Sequence, residues 1–167
     1  MSTENTTPDM DLDDPFITRY AEKVEDPQEV LMRADFARMQ HVLHTMDRIE
    51  VGAEFEQLTE QADEIDLRWL DGSTEEREAW TYLADAHHDW KHAPDTMRRF
   101  HDQIAHDRAG GWDALTPMQW HSQQQARELT GHGAWSTPER EAGRDPIPGH
   151  AFAGLVNGVE REQEVER

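Results

Sequence analysis

Four side chains in one short run could do chemistry together. Asp85, His88, Asp89 and His92 are spaced so that, on a helix, all four fall on one face. Imidazole and carboxylate groups gathered on a helix are how bundles assemble sites for zinc or for iron. Pro94 ends that helix, and a following helix folded back antiparallel would bring His101 toward His88. The candidate metal site is therefore Asp85, His88, Asp89, His92 and His101, with Zn or Fe as the cofactor. The alternative for the same residues is an ordinary solvated polar face with no cofactor.

Composition weighs on that choice. With ten His and 36 Asp plus Glu in 167 residues, about two acid-x-x-His pairs arise by chance, and two occur. No Glu-x-x-His pair is present, although paired-iron bundles use two. His88-Asp89-Trp90-Lys91-His92 has the outline of H-E-x-x-H but lacks its Glu base. His87 falls instead in an apolar seam with Trp80, Leu83 and Trp90, where a neutral, hydrogen-bonded core histidine is expected. Nucleophilic catalysis has little to work with, since the chain has no Cys, no G-x-S-x-G elbow and no glycine-rich phosphate loop. The balance is against an enzyme.

A second group points to recognition rather than reaction. All six Trp lie between residues 69 and 135, and Trp112 and Trp135 stand beside glycines, in Gly110-Gly111-Trp112 and Gly131-His132-Gly133-Ala134-Trp135. Trp and Arg are the residues that most often anchor protein interfaces. Trp112, Trp120 and Trp135 with Arg98, Arg99 and Arg127 form the candidate contact surface; internal packing is the competing use for the same indoles.

The elements that must carry these groups are helical. Asp26-Pro27-Gln28-Glu29 is a helix start, followed by Met32, Phe36, Met39, Leu43 and Met46 in a continuous stripe. After Gly52 a second stripe runs through Phe55, Leu58, Ala62, Ile65 and Trp69. Ser73-Thr74-Glu75-Glu76 is a capping box for a third helix. Asp95 is expected to cap a fourth, with Met97, Phe100 and Ile104 inward, and Thr116-Pro117 opens a fifth. No window alternates apolar and polar residues as a strand would. The fold class is all-α: a small bundle of four to five antiparallel helices, with a disordered or extended acidic N-terminal tail and a short C-terminal helix. Residues 1–14 are read as the tail, with Pro15 to Tyr20 a short docked turn at the start of a helical domain over 15–135. Residues 136–167 are read as a Pro/Gly-rich extension with a short amphipathic helix around Phe152 to Val159 and a charged tail.

Charge sets the remaining limits. The net charge is −20, and only Lys23 and Lys91 are lysines. Residues 1–78 hold 22 acids and 7 bases, whereas residues 79–135 hold 7 and 5. Direct binding to nucleic-acid phosphates is excluded as the expectation, and mean hydropathy of −0.95 leaves no membrane span. No signal peptide is visible, so the expected location is the cytoplasm, or a virion if the source is viral. A lysine-poor acidic coat suits concentrated salt. The expected function is a non-catalytic structural or adaptor protein docking into a larger assembly, with protein partners, further copies of itself included. A virion or head-to-tail connector component of a halophile's virus is one such setting. A metal-binding helical protein and an acidic mimic of nucleic acid that binds a basic protein are the alternatives.

Overall fold

The computed structural model describes residues 9–135. Among them are six α-helices and no strand: α1 Pro15–Ala21, α2 Pro27–Met46, α3 Ala53–Leu70, α4 Thr74–His92, α5 Pro94–Ala109 and α6 Pro117–Leu129. The chain divides into two compact units, Met1–Thr81 and Tyr82–Arg167, with the division inside α4. The short helix expected near Phe152 to Val159, the extension that carries it and the first eight residues of the expected tail lie outside the described residues.

Local chemistry explains the helix ends. Asp14 and Asp26 accept the N–H groups of Phe16 and Gln28, each at 2.9 Å, and a proline follows each cap at the first helical position. The expected docked turn at Pro15 is thus a two-turn helix, and Asp14 belongs to it rather than to a tail. Ser73 and Glu76 exchange bonds of 3.1 and 2.9 Å as the capping box requires, and Thr116 with Gln119 repeats the motif. Asp95 does not cap α5: Ala93 occupies that position, Pro94 is first in the helix, and Asp95 pairs with Arg98 one turn on.

In the first unit α2 packs against both α1 and α3. It is therefore buried far beyond a stripe: every residue from Met32 to Ala37 is inside, Arg33 and Asp35 included. Leu43, expected in the stripe, is instead 39% exposed. The buried charges are all matched. Arg33 donates to Glu29 one turn earlier at 2.8 Å, while burial pulls its proton affinity below the ordinary guanidinium range. Asp35 accepts from Arg38 at 2.7 Å, from Arg68 at 2.6 Å and from the Trp69 indole at 2.9 Å. Arg38 also reaches Asp14 and lies over the Phe16 ring. Trp80, at the start of α4, stacks on Trp69, meets Phe36 edge-on and donates to Asp66 at 2.7 Å.

The second unit is built around Trp90, which is fully buried with Ala86, Met97 and Ala126. Its indole N–H donates to Gln123 at 3.0 Å, and the Gln123 amide donates in turn to the Tyr82 hydroxyl at 3.1 Å. In α6 the run Ser122 to Ala126 is buried. Phe100, expected inward, stands 37% exposed on α5.

Removing the Asp35 charge takes one carboxylate partner from Arg38 and from Arg68 and leaves the buried Trp69 N–H without its acceptor. Asp35→Ala is expected to cost about 3–5 kcal/mol of unfolding free energy, read from urea denaturation, whereas Asp63→Ala on the exposed face of α3 is expected to cost under about 0.5 kcal/mol.

Candidate functional site

The proposed metal-binding face exists on α4, with Asp85, His88, Asp89 and His92 all exposed. The His88 and His92 rings approach to 4.3 Å between centroids, as neighbours one turn apart should. His101 does not join them. Its ring stacks on Trp120 at 5.1 Å and stands edge-on to Trp90 at 6.1 Å. Among the described residues no three His, Asp or Glu side chains gather so as to hold a metal ion.

The His101 ring is held by polar as well as aromatic neighbours. The Gln124 side-chain amide lies 2.8 Å from His101 Nε2, with the tautomer of the ring setting which of the two donates. Asp102 stands 3.7 Å from the other ring nitrogen. Burial, followed by the Arg127 charge, pushes the imidazole below its usual value, with Asp102 and Gln124 opposing. His87 is half-buried in its seam and is lowered too, by burial first and then by Lys91, His88 and His92.

The expected Trp/Arg contact surface separates into inside and outside. Trp120 and Trp135 are buried, and this corrects their placement on a contact surface: Arg108 and His101 cover the Trp120 ring, and His121 lies against Trp135. Trp112 is 56% exposed, the one exposed indole of the six. Arg98 and Arg99 are exposed beside Phe100 on α5, and Arg127 is half-buried on α6. Backbone geometry holds Trp112 out. Gly111 takes φ +87°, the Trp112 N–H bonds the Asp107 carbonyl at 2.8 Å, and the Gly111 N–H bonds that of Arg108 at 3.0 Å. This is a Schellman stop, which turns the chain sharply away from the helix axis.

Compared with known protein families, curated proteins and solved structures, the chain matches none.

A cleft in the first unit was not foreseen. It encloses about 390 Å³ over an apolar floor of Ile17, Leu31 and Trp69, with Arg38, Arg68 and Asp35 in its wall. Its acidic groups are already bonded: Asp35 by three donors, Asp14 by the Phe16 N–H and Arg38, and Glu76 by Ser73 and Gln28. The cleft is thus chiefly a by-product of the paired charges that hold α1, α2 and α3. Asp35 and Arg38 are three residues apart in sequence, but Arg68 and Trp69 lie over 30 residues away, where no local spacing signals the meeting.

Because His101 and His87 titrate below 6.5 when folded but near that value when unfolded, the unfolded chain takes up protons first as pH falls. Stability is expected to decline as pH drops through about 6.5 and to level off below the folded values. Melting followed from pH 7.5 to 5.0 should fall less for His101→Gln than for the wild type.

Proposed function

We propose that the chain is a non-catalytic docking protein that joins a larger protein assembly through the second unit, with Trp112 as its anchor. What supports this reading is the exposure of Trp112 while the other five indoles are buried. A large aromatic ring held in water by a rigid stop costs solvation free energy, and indole rings are favoured at the centres of interfaces. Phe100, Arg98 and Arg99 add an exposed ring and two guanidinium groups in the part of the chain where acids barely outnumber bases. Repulsion from an acidic coat is weakest there.

The acidity agrees with work in concentrated salt, and the reading extends to a component of a virion or connector from a halophile's virus, in which further copies or other subunits would cover Trp112. No described helix is long and apolar enough to cross a membrane. The metal reading has two exposed imidazoles on α4 in its favour, but among the described residues no third ligand is gathered to them. The nucleic-acid mimic rests on the charge of residues 1–78 alone.

The test is association of the full chain, by light scattering across a salt series and by quantitative binding to any partner recovered at high salt. Trp112→Ala is expected to weaken the association by about 2 kcal/mol or more, about 30-fold. Its melting temperature should stay close to that of the wild type, because the ring supports little of the fold. A strict monomer without a partner at every salt concentration, or a variant that binds as tightly as the parent, would end the docking reading.

A further inference from the structure

The arginines fall into distinct situations. Arg33, Arg38, Arg68, Arg98 and Arg108 each face a carboxylate, and Arg48 and Arg77 stand in water. Arg127 is different. It is half-buried, its Nε is fully withdrawn from water, and that N–H has no acceptor among the described residues. No ion pair with any described carboxylate compensates it, in a chain whose 36 acids outnumber its 16 bases. Buried donors without acceptors are rare and destabilising, and each calls for an account of what satisfies it.

The end of α6 builds a seat for this group. Gly131 takes φ +81°, the His132 N–H bonds the Arg127 carbonyl at 2.9 Å, and the Gly131 N–H bonds that of Glu128 at 3.1 Å. The chain thereby folds back over the last turn. Gly133 then lies against the guanidinium, so closely that a Cβ there would stand 2.4 Å from its central carbon. Arg98 Nη2 comes within 3.5 Å of His132 Nδ1, and the His132 ring stacks on Trp90. Nearby acids are committed elsewhere: Asp95 to Arg98, Asp102 beside His101, and Glu128 to the Trp135 N–H at 3.3 Å. Helix carbonyls do not substitute for a partner, because the Ala126 and Arg127 carbonyls already accept from the Thr130 hydroxyl and the folded-back chain.

We propose that Arg127 anchors a carboxylate-binding site at the C-terminal end of α6, with Arg98 and His132 at its edge. The planar guanidinium fork matches the two oxygens of a carboxylate, and Gly133 leaves room for it to lie flat. The carboxylate comes from an aspartate or glutamate side chain of a docked polypeptide or from a small free acid. The site is separate from Trp112, so its test succeeds or fails whether or not docking through Trp112 holds.

The experiment exchanges chloride for acetate, mole for mole at constant ionic strength, on the full chain, with the His101 and His132 imidazoles and the Arg127 Nε–H followed by NMR. Acetate should raise the His101 titration in a saturable way, because a bound carboxylate offsets the Arg127 charge that lowers it. The Arg127 Nε–H should shift over the same concentration range. Arg127→Met should abolish both responses and melt no lower than the parent, and Arg127→Lys, which keeps the charge but loses the fork, should bind acetate at least about 10-fold more weakly. A short peptide with one Glu and blocked ends separates the two sources: binding about 10-fold tighter than acetate assigns the site to a polypeptide side chain, and equal binding to a free acid. Identical His101 titrations in chloride and acetate overturn the proposal, as does an acetate response that survives Arg127→Met. If Arg127→Met does not fold, the guanidinium is structural and the proposal falls with it.

Discussion

The burial of the middle of α2, where every residue from Met32 to Ala37 is inside, is the constraint from which most of the first unit follows. A helix covered on both flanks cannot leave its polar residues in water, so each charge inside must meet its opposite. Glu29 and Arg33 do so within the helix, one turn apart. Asp35 cannot be satisfied by its own helix alone and draws Arg68 and Trp69 from α3 as well as Arg38. Arg38 then extends the network to Asp14 at the start of α1. One carboxylate thereby fixes where α1 and α3 sit on α2. Three of the seven bases among the first 78 residues, Arg33, Arg38 and Arg68, are spent on these partners.

The second unit meets the same problem with neutral groups. Ser122, Gln123, Gln124 and Gln125 are buried in it, and of these Gln123 bonds the Trp90 indole and the Tyr82 phenol while Gln124 lies against the His101 imidazole. Burial and the nearby Arg127 charge both disfavour an imidazolium at His101. The near-neutral composition of residues 79–135 is thus partly a property of the interior. Its bearing on recognition narrows to the groups that remain outside, chiefly Trp112, Phe100, Arg98 and Arg99.

Helix ends were legible in the sequence because they are decided by a few neighbouring residues. Asp26-Pro27, Ser73 with Glu76, and Thr116 with Gln119 act where their types and spacing place them, and Asp14-Pro15 carries the same signal for a helix as short as α1. Burial was less legible. Leu43 and Phe100 fit the apolar spacing but stand at positions that no neighbouring helix covers fully, and Arg33 and Asp35 read as surface residues until a second helix is laid over them. Asp35 with Arg68, and Gln123 with Trp90, are meetings over more than 30 residues of chain, which periodicity cannot encode. His101 illustrates the limit: Pro94 does turn the chain, but Trp90, Trp120 and Gln124 capture the ring.

The residues with the clearest unmet chemistry stand at helix stops rather than on the helix face that first drew attention. An exposed face carrying Asp85, His88, Asp89 and His92 is what any solvated helix of this composition presents, and side chains there are free to change rotamer. A Schellman stop is different, because a left-handed glycine and two backbone hydrogen bonds fix the next residue's position without using its side chain. Among the described residues this device occurs at Gly111 and at Gly131. At Gly111 it delivers an indole to water, and at Gly131 it delivers an imidazole inward onto Trp90 while Gly133 passes beneath Arg127. In both places backbone hydrogen bonds and a left-handed glycine, rather than side-chain packing, decide where the following side chain stands.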